Sequence, residues 1–245
     1  MVHPLFFTAV ARTLTEGQSY VLTGEEGKHA ATVKRMRAGE SLQLTDGTGI
    51  RIQASVTANL GSTLDLKIES IIEEPVPSLQ LTLVQALAKG DRDELAVQAA
   101  TELGATSVIP WQAARCVSKW EGPKLAKGVA RWQSIVAEAA KQSLRVLTPQ
   151  VRPAVSTTEL SELVKDFDVV LVLDPTASHS LKSFLPITGN VAIVVGPEGG
   201  IEPSELEQLG NSGAERVHLG SGILRTSTAG LAAISSILAF GSAWD

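Results

Sequence analysis

Two rhythms of apolar residues divide the chain. Up to about residue 74, apolar and polar positions alternate in short runs at 6–10, 19–22, 41–45, 50–56 and 63–71. A period of two predicts strands with one buried face. The runs are separated by Asp46-Gly47-Thr48-Gly49 and Asn59-Leu60-Gly61, residues that suit tight turns. Only residues 24–36, around His29, Ala30, Ala31 and Val33, read as a short helix. Several short strands with little helix predict a small β-barrel over residues 1–74.

Beyond Glu73-Glu74-Pro75-Val76-Pro77-Ser78 the rhythm changes. Apolar runs at 79–87, 107–110, 169–173, 191–195 and 216–219 alternate with helical segments at 92–103, 124–143, 157–165, 180–185, 203–210 and 228–240. Val/Ile-rich runs without alternation belong to strands buried on both faces. The expectation for residues 79–245 is therefore a second, α/β domain with a mostly parallel sheet covered by helices.

Composition narrows the function. With 44% hydrophobic and 19% charged residues in 245, the chain is globular rather than disordered. A single cysteine, Cys116, excludes a disulfide framework, and the 4 His lack metal-ligand spacing, so no metal is expected. No apolar run approaches the ~20 residues of a membrane span. The first residues lack the basic stretch of a signal peptide, and a soluble cytoplasmic protein is expected. The net charge of −5 hides an uneven distribution. Arg115, Lys119, Lys124, Lys127, Arg131, Lys141, Arg145 and Arg152 face only Glu121 and Glu138, and Lys28, Lys34, Arg35 and Arg37 form a second basic group. Such zones suit local contact with a polyanion, or are simply solvated faces.

Two stretches share one plan, a strand running into a glycine-bearing turn and then a helix. One is Val195-Gly196-Pro197-Glu198-Gly199-Gly200 with Pro203 opening the helix; the other is Leu219-Gly220-Ser221-Gly222-Ile223-Leu224-Arg225 before an almost wholly apolar helix. Ligands of open α/β sheets bind beyond the carboxyl ends of strands, and neither stretch is a phosphate loop or dinucleotide fingerprint. Arg225 is a cation at a helix start, where the dipole does not favour it. It has either a ligand or a structural carboxylate partner. Over residues 131–145, read with helical periodicity, Arg131, Glu138, Gln142 and Arg145 fall in one stripe beside an apolar face carrying Trp132 and Val136. The stripe reads as an RNA grip or as an exposed face with an Arg131–Glu138 contact. Lys89 ends the first strand of the second domain and precedes Gly90.

Together these residues resemble a known family. Gly196-Pro197-Glu198-Gly199-Gly200, then Leu219-Gly220 with Ile223-Leu224-Arg225 and Thr228-Ala229, are similar to the trefoil-knotted SPOUT methyltransferases, and more closely to the small-subunit ribosomal RNA uracil-N3 methyltransferases. Arg35-Met36-Arg37 with Asp46-Gly47, Ala88-Lys89-Gly90, Glu102-Leu103-Gly104 and Arg131-Trp132 through Arg145 extend the likeness over nearly the whole chain. The resemblance implies a PUA-like barrel before a knotted α/β domain, S-adenosylmethionine as cofactor, 16S ribosomal RNA or the small ribosomal subunit as partner, and a homodimer. It implies a donor pocket of Leu173, Gly196, Pro197, Glu198, Gly199, Gly200, Leu219, Gly220, Ile223, Leu224, Thr228 and Ala229. Arg225 and Glu198 would be catalytic, and Arg35, Arg37, Lys89, Arg131, Gln142 and Arg145 would hold RNA. At two positions the chain departs from the family, with Gly222 and Ser227 where Arg and Glu are usual. The two losses read as the paired removal of one ion pair, or as a weakening of target binding or catalysis. Competing readings are a SPOUT enzyme acting on a ribose 2′-oxygen or a transfer RNA guanine, and a non-catalytic RNA-binding assembly factor.

Overall fold

The computed structural model describes residues 3–241. They form two compact units, one comprising the chain up to Val76 together with Ala140–Thr148, the other Pro77–Ala139 together with the chain from Pro149 onward. Residues 140–148, expected within the second domain over 79–245, cluster instead with the N-terminal unit.

In the first unit β1 (Leu5–Phe7), β2 (Ser19–Leu22), β3 (Ser41–Thr45), β4 (Ile50–Asn59) and β5 (Leu64–Glu73) make a curled sheet in the order β1-β3-β4-β5-β2. All neighbours are antiparallel except β1 and β3. Alternation works as expected: Ile50, Ile52, Ala54 and Val56 of β4 are buried with Leu64, Leu66 and Ile68 of β5. The first strand is shorter than expected, because the chain turns at Ala11–Thr13. The predicted helix over 24–36 is α1 (Gly24–Lys28) continued by a wider π-type turn over His29–Val33. There the Thr32 hydroxyl donates to the Lys28 carbonyl at 2.6 Å and the Lys34 amide reaches the His29 carbonyl. A helical threonine that bonds back to the preceding turn loosens the regular ladder.

The second unit runs β6 (Leu79–Ala86), α2 (Arg92–Leu103), β7 (Ser107–Gln112), α3 (Pro123–Gln142), β8 (Gln150–Val151), β9 (Val155–Ser156), α4 (Thr157–Leu163), β10 (Val169–Leu173), β11 (His179–Ser180), β12 (Gly189–Val195), α5 (Pro203–Asn211), β13 (Glu215–His218) and α6 (Thr226–Phe240). The last turn of α3 falls in the first unit. The sheet order is β11-β13-β10-β12-β6-β7-β8, with β9 also on β7, and every pair is parallel. Residues 180–185, expected as a helix, are the end of β11 and a short turn over Leu181–Phe184.

Successive residues of a strand point to opposite faces, and here they feed two separate cores. Val170, Val172, Ala192 and Val194 pack with Trp132, Val136 and Leu160 from α3 and α4. Leu171, Val191, Ile193 and Val195 pack with Ala233, Ile234 and Ile237 of α6. This explains why the strands carry apolar residues without alternation. Helix α6 comes especially close to the sheet at Gly230, where a Cβ would lie 2.8 Å from Leu83 Cδ1 and 3.2 Å from Val195 Cγ2. Gly230→Val is expected to destabilise the protein by about 1–3 kcal/mol through overpacking, seen as a lowered urea midpoint by far-UV circular dichroism.

Candidate active site

Strands β13, β10 and β12 are neighbours, and Leu173 is level with both Val195 and Val217. The turns leaving their carboxyl ends therefore open into one crevice, as parallel sheets require of a ligand site. It is a cavity of about 670 Å³. Its apolar walls are Leu173, Val195, Val217, Leu219, Ile223, Leu224 and Ala229, and Asp174, Thr176, Glu198, His218, Arg92, Arg115 and Arg225 bring polar groups to it. That size and composition fit a small-molecule site, mostly apolar with a few placed polar groups.

The turn after β12 needs its glycines for steric reasons. A Cβ on Gly196 would sit 2.6 Å from Ile201 Cγ1, and Gly200 has φ +74°, a conformation that side chains disfavour. Glu198 anchors this turn. Its Oε1 accepts from the Lys89 amide at 3.1 Å and from Arg92 Nη1 at 3.0 Å. Partial burial pushes the carboxyl pKa up, but hydrogen bonds from its own and the Lys89 amide, with Arg92, outweigh this and hold it below the usual carboxylate range. Arg115 grips the same turn from another side, with Nε 3.1 Å from Glu202 and Nη1 donating to the Gly199 carbonyl.

The loop before α6 is tied to that turn by one hydroxyl. Thr226 Oγ1 donates to the Gly196 carbonyl at 2.9 Å and accepts from Gln85 Nε2 at 2.9 Å; both side chains are buried. Arg225 caps the helix with its carbonyl, which accepts from the Thr228 and Ala229 amides. Its exposed side chain borders the cavity and has no carboxylate partner among the described residues. The structural ion pair open to Arg225 on sequence grounds is thus not formed there.

Of the predicted donor-pocket residues, Leu173, Gly196, Pro197, Glu198, Gly200, Leu219, Ile223, Leu224 and Ala229 line the cavity. Gly199 lies against Arg115, the Gly220 amide donates to His218 Nδ1, and the Thr228 hydroxyl bonds back to the Arg225 carbonyl. Gly222 borders the cavity with open space where a side chain would be, and Ser227 is buried in α6.

Sequence reasoning missed Arg92, Arg115, Thr226 and the turn after β10. In that turn Asp174 Oδ1 accepts from the Thr176 amide and hydroxyl, both at 2.8 Å, and Oδ2 from Arg216 Nε at 2.8 Å. Desolvation raises this carboxyl pKa, yet the Thr176 and Arg216 bonds prevail and lower it. Asp-Pro-Thr directly after a strand was the available signal, since Asp closes such turns through its own side chain.

The predicted RNA contacts divide between the units. Arg35 and Arg37 are exposed, with Arg35 at φ +53°. Gln142 ends α3, and a turn with Leu144 at φ +58° carries Arg145 off the helix, so the four-residue helical stripe does not form. In the second unit Arg131 grips both oxygens of Glu94, at 2.7 to 3.2 Å, rather than Glu138. Lys89 is exposed in a turn braced by buried Asp93, which accepts from the Ala88 amide.

Residues 74–238 match the RNA methyltransferase domain family, and residues 22–69 match the RNA methyltransferase PUA domain family. The chain belongs to the ribosomal RNA small subunit methyltransferase E family. It is 42% identical over 236 residues to that protein of Mycobacterium tuberculosis (94% of this chain, 89% of the relative), and 33% identical over 241 residues to that of Bacillus subtilis (95% and 94%). The crystal structure of the Neisseria gonorrhoeae member bound to S-adenosyl methionine has a TM-score of 0.86 and 30% identity, covering 97% of this chain and 98% of that one. Such relatives bear out the expected family and fold, a PUA-like unit before an α/β RNA methyltransferase unit.

The anchoring of Glu198 has a pH signature. A carboxyl held below its ordinary pKa supports the folded turn above that ordinary value, and the support is lost as pH falls through the lowered one. Arg92→Met is expected to move the Glu198 titration upward, toward an ordinary glutamate, in a carbon-13 NMR titration of the side-chain carboxyl.

Proposed function

We propose that this protein transfers a methyl group from S-adenosylmethionine to N3 of a uridine in small-subunit ribosomal RNA. Family membership and the donor-bound Neisseria relative support the cofactor and the RNA class. The observation that carries the chemistry is Arg225, a guanidinium without a carboxylate partner among the described residues, at the rim of a largely apolar cavity.

The cavity suits the donor. Apolar side chains and close backbone around Gly196 and Leu219 enclose a molecule of that size, and the polar groups stand at its edges. When bound, the donor supplies a methyl group already activated on a sulfonium. What remains for the chain is alignment and charge. Uracil N3 becomes nucleophilic only as its proton leaves, and negative charge then spreads to the flanking carbonyl oxygens. Arg225 offsets that charge from the rim of the cavity. N3 gains the methyl and its proton passes to solvent. Glu198, predicted as catalytic, is a poor proton acceptor when Arg92 and the Lys89 amide hold it ionised; in this reading it fixes the turn. Arg35 and Arg37, exposed and without acidic partners among the described residues, serve as phosphate contacts, with exposed Lys89, whose amide donates to Glu198, as a contact from the second unit. Arg131 is held by Glu94 and enters RNA binding only by exchanging that partner.

The reading extends to a homodimer carrying the family's knotted loop and acting in the cytoplasm on 16S ribosomal RNA or the small ribosomal subunit. The homodimer is supported by α6, whose Leu231 and Ala232 are half-buried and whose Phe240 is 61% exposed. An apolar helix of this kind is covered by a partner more readily than by water, and sedimentation that gives a monomer at micromolar concentration would refute it. No described helix is long and apolar enough to cross a membrane.

Arg225→Ala is expected to keep donor affinity, measured calorimetrically, while lowering the rate of methyl transfer by about 10²–10³-fold, with Arg225→Lys recovering part of it. The product is read as 3-methyluridine by nucleoside mass spectrometry. Unchanged transfer by Arg225→Ala, or methylation at another atom, overturns the assignment.

A further inference from the structure

A second cavity, of about 750 Å³, lies wholly within the N-terminal unit. Its walls come from His3 to Phe6, from His29, Lys34 and Met36, from the turn at Gly39-Glu40-Ser41, and from Lys141, Gln142 and Leu144. The chemistry at its centre is Lys141, a lysine whose side chain is only 7% exposed. Its Nζ lies 2.7 Å from Glu26 Oε1, 3.3 Å from His29 Nδ1 and 5.4 Å from the centroid of the Phe6 ring. The other Glu26 oxygen accepts from the Phe7 amide, and the Phe6 and His29 rings meet edge to face at 5.9 Å.

This ammonium is held rigidly from several sides. A buried ion pair is weak as a source of stability, since apolar residues of equal volume often do as well. A charged donor fixed in a cavity wall is therefore better explained by what it meets there. Around it the cavity offers the flat imidazoles of His3 and His29, the Met36 thioether, the Gln142 amide and the Lys34 ammonium. Lys34 is followed at once by exposed Arg35 and Arg37. Glu40 is the one acidic side chain lining it, and that carboxylate is engaged by the Arg37 amide at 2.9 Å.

We infer that this cavity is a subsite for one unpaired nucleotide of the RNA substrate, its base entering beside His29 and Gln142 and its phosphate facing Lys34. A small anion alone would need only the cations. The combination of flat rings, an amide able to donate and accept, and a fixed ammonium matches a base, which is recognised by stacking and by its edge once it leaves a helix. The cavity is large enough for a nucleotide, within the ~300–1,000 Å³ typical of small-molecule sites. The inference rests on the RNA-modifying reading above and adds a second, non-reacting contact remote in sequence from Arg225.

The test uses the full chain and fluorescence anisotropy with two labelled probes at equal ionic strength, a dodecauridylate and a ribose-phosphate 12-mer lacking bases. The intact protein is expected to prefer the dodecauridylate by at least about fivefold, the worth of one stacked base. His29→Ala and Gln142→Ala should each shrink that preference to within about twofold while leaving affinity for the abasic probe and for S-adenosylmethionine unchanged. Because Lys141→Met alone strands Glu26, it is paired with Glu26→Gln; the double variant should lose the preference too. No preference in the intact protein, or one that survives both single variants, overturns the subsite. A chain that binds RNA in this way yet takes no methyl donor overturns the methyltransferase reading instead, and the two failures are thereby separable.

Discussion

The candidate active site depends on one buried hydroxyl. Thr226 bridges the Gln85 amide and the Gly196 carbonyl, joining the end of β6, the turn after β12 and the start of α6. These three points are separated by 141 and 30 residues along the chain. Buried groups of this kind have no water to fall back on, so losing the bridge would leave the Gly196 carbonyl and one of the two Gln85 amide hydrogens, the other being held by the Ala86 carbonyl, without this partner, at a cost of about 1–3 kcal/mol each. The parallel sheet supplies the crevice, but this node sets where the last helix begins. It therefore sets where the Arg225 side chain leaves the backbone.

Much of the fold was legible because its strands and helices bury surface in simple ways. Val191 to Val195 could be read as a strand buried on both faces, since nothing polar interrupts it. The two glycine-bearing turns could be placed at strand ends, and with them the apolar wall of the cavity. Less legible were contacts between residues distant in sequence. Nothing local to Arg131 distinguishes Glu138, seven residues away, from Glu94, 37 residues away. Nor does helical periodicity, which puts Arg145 in one stripe with Arg131, show that a turn at Leu144 carries it off the helix, because that left-handed turn has no glycine to announce it. The same blindness hid the assignment of 140–148 to the first unit, and with it the surroundings of Lys141.

Charge in the second unit's cavity follows a consistent pattern. Glu198 is claimed by Arg92 and the Lys89 amide, Asp174 by Thr176 and Arg216, and Glu202 by Arg115. Each of these pairs braces one of the turns from which the cavity is made. Surface pairs of this sort add little stability by themselves, but here they fix backbone geometry around a ligand-sized space, where small displacements matter most. Once they are satisfied, Arg225 is left as the cation without a carboxylate among the described residues.

That remainder constrains the chemistry. Cys116 is buried, and burial pushes its thiol up to about 11, so it is no nucleophile at neutral pH. The carboxylates at the cavity are ionised and already bonded, which makes them weak bases. A chain with neither a free thiolate nor a poised carboxylate at its site is suited to a reaction between two partners it has only to align. Transfer from an already activated donor to a nitrogen that sheds its own weakly held proton is such a reaction. On the proposed reading, a cation placed for the charge that develops is then the main catalytic contribution asked of the protein, a role that Arg225 fills and no acid or base does.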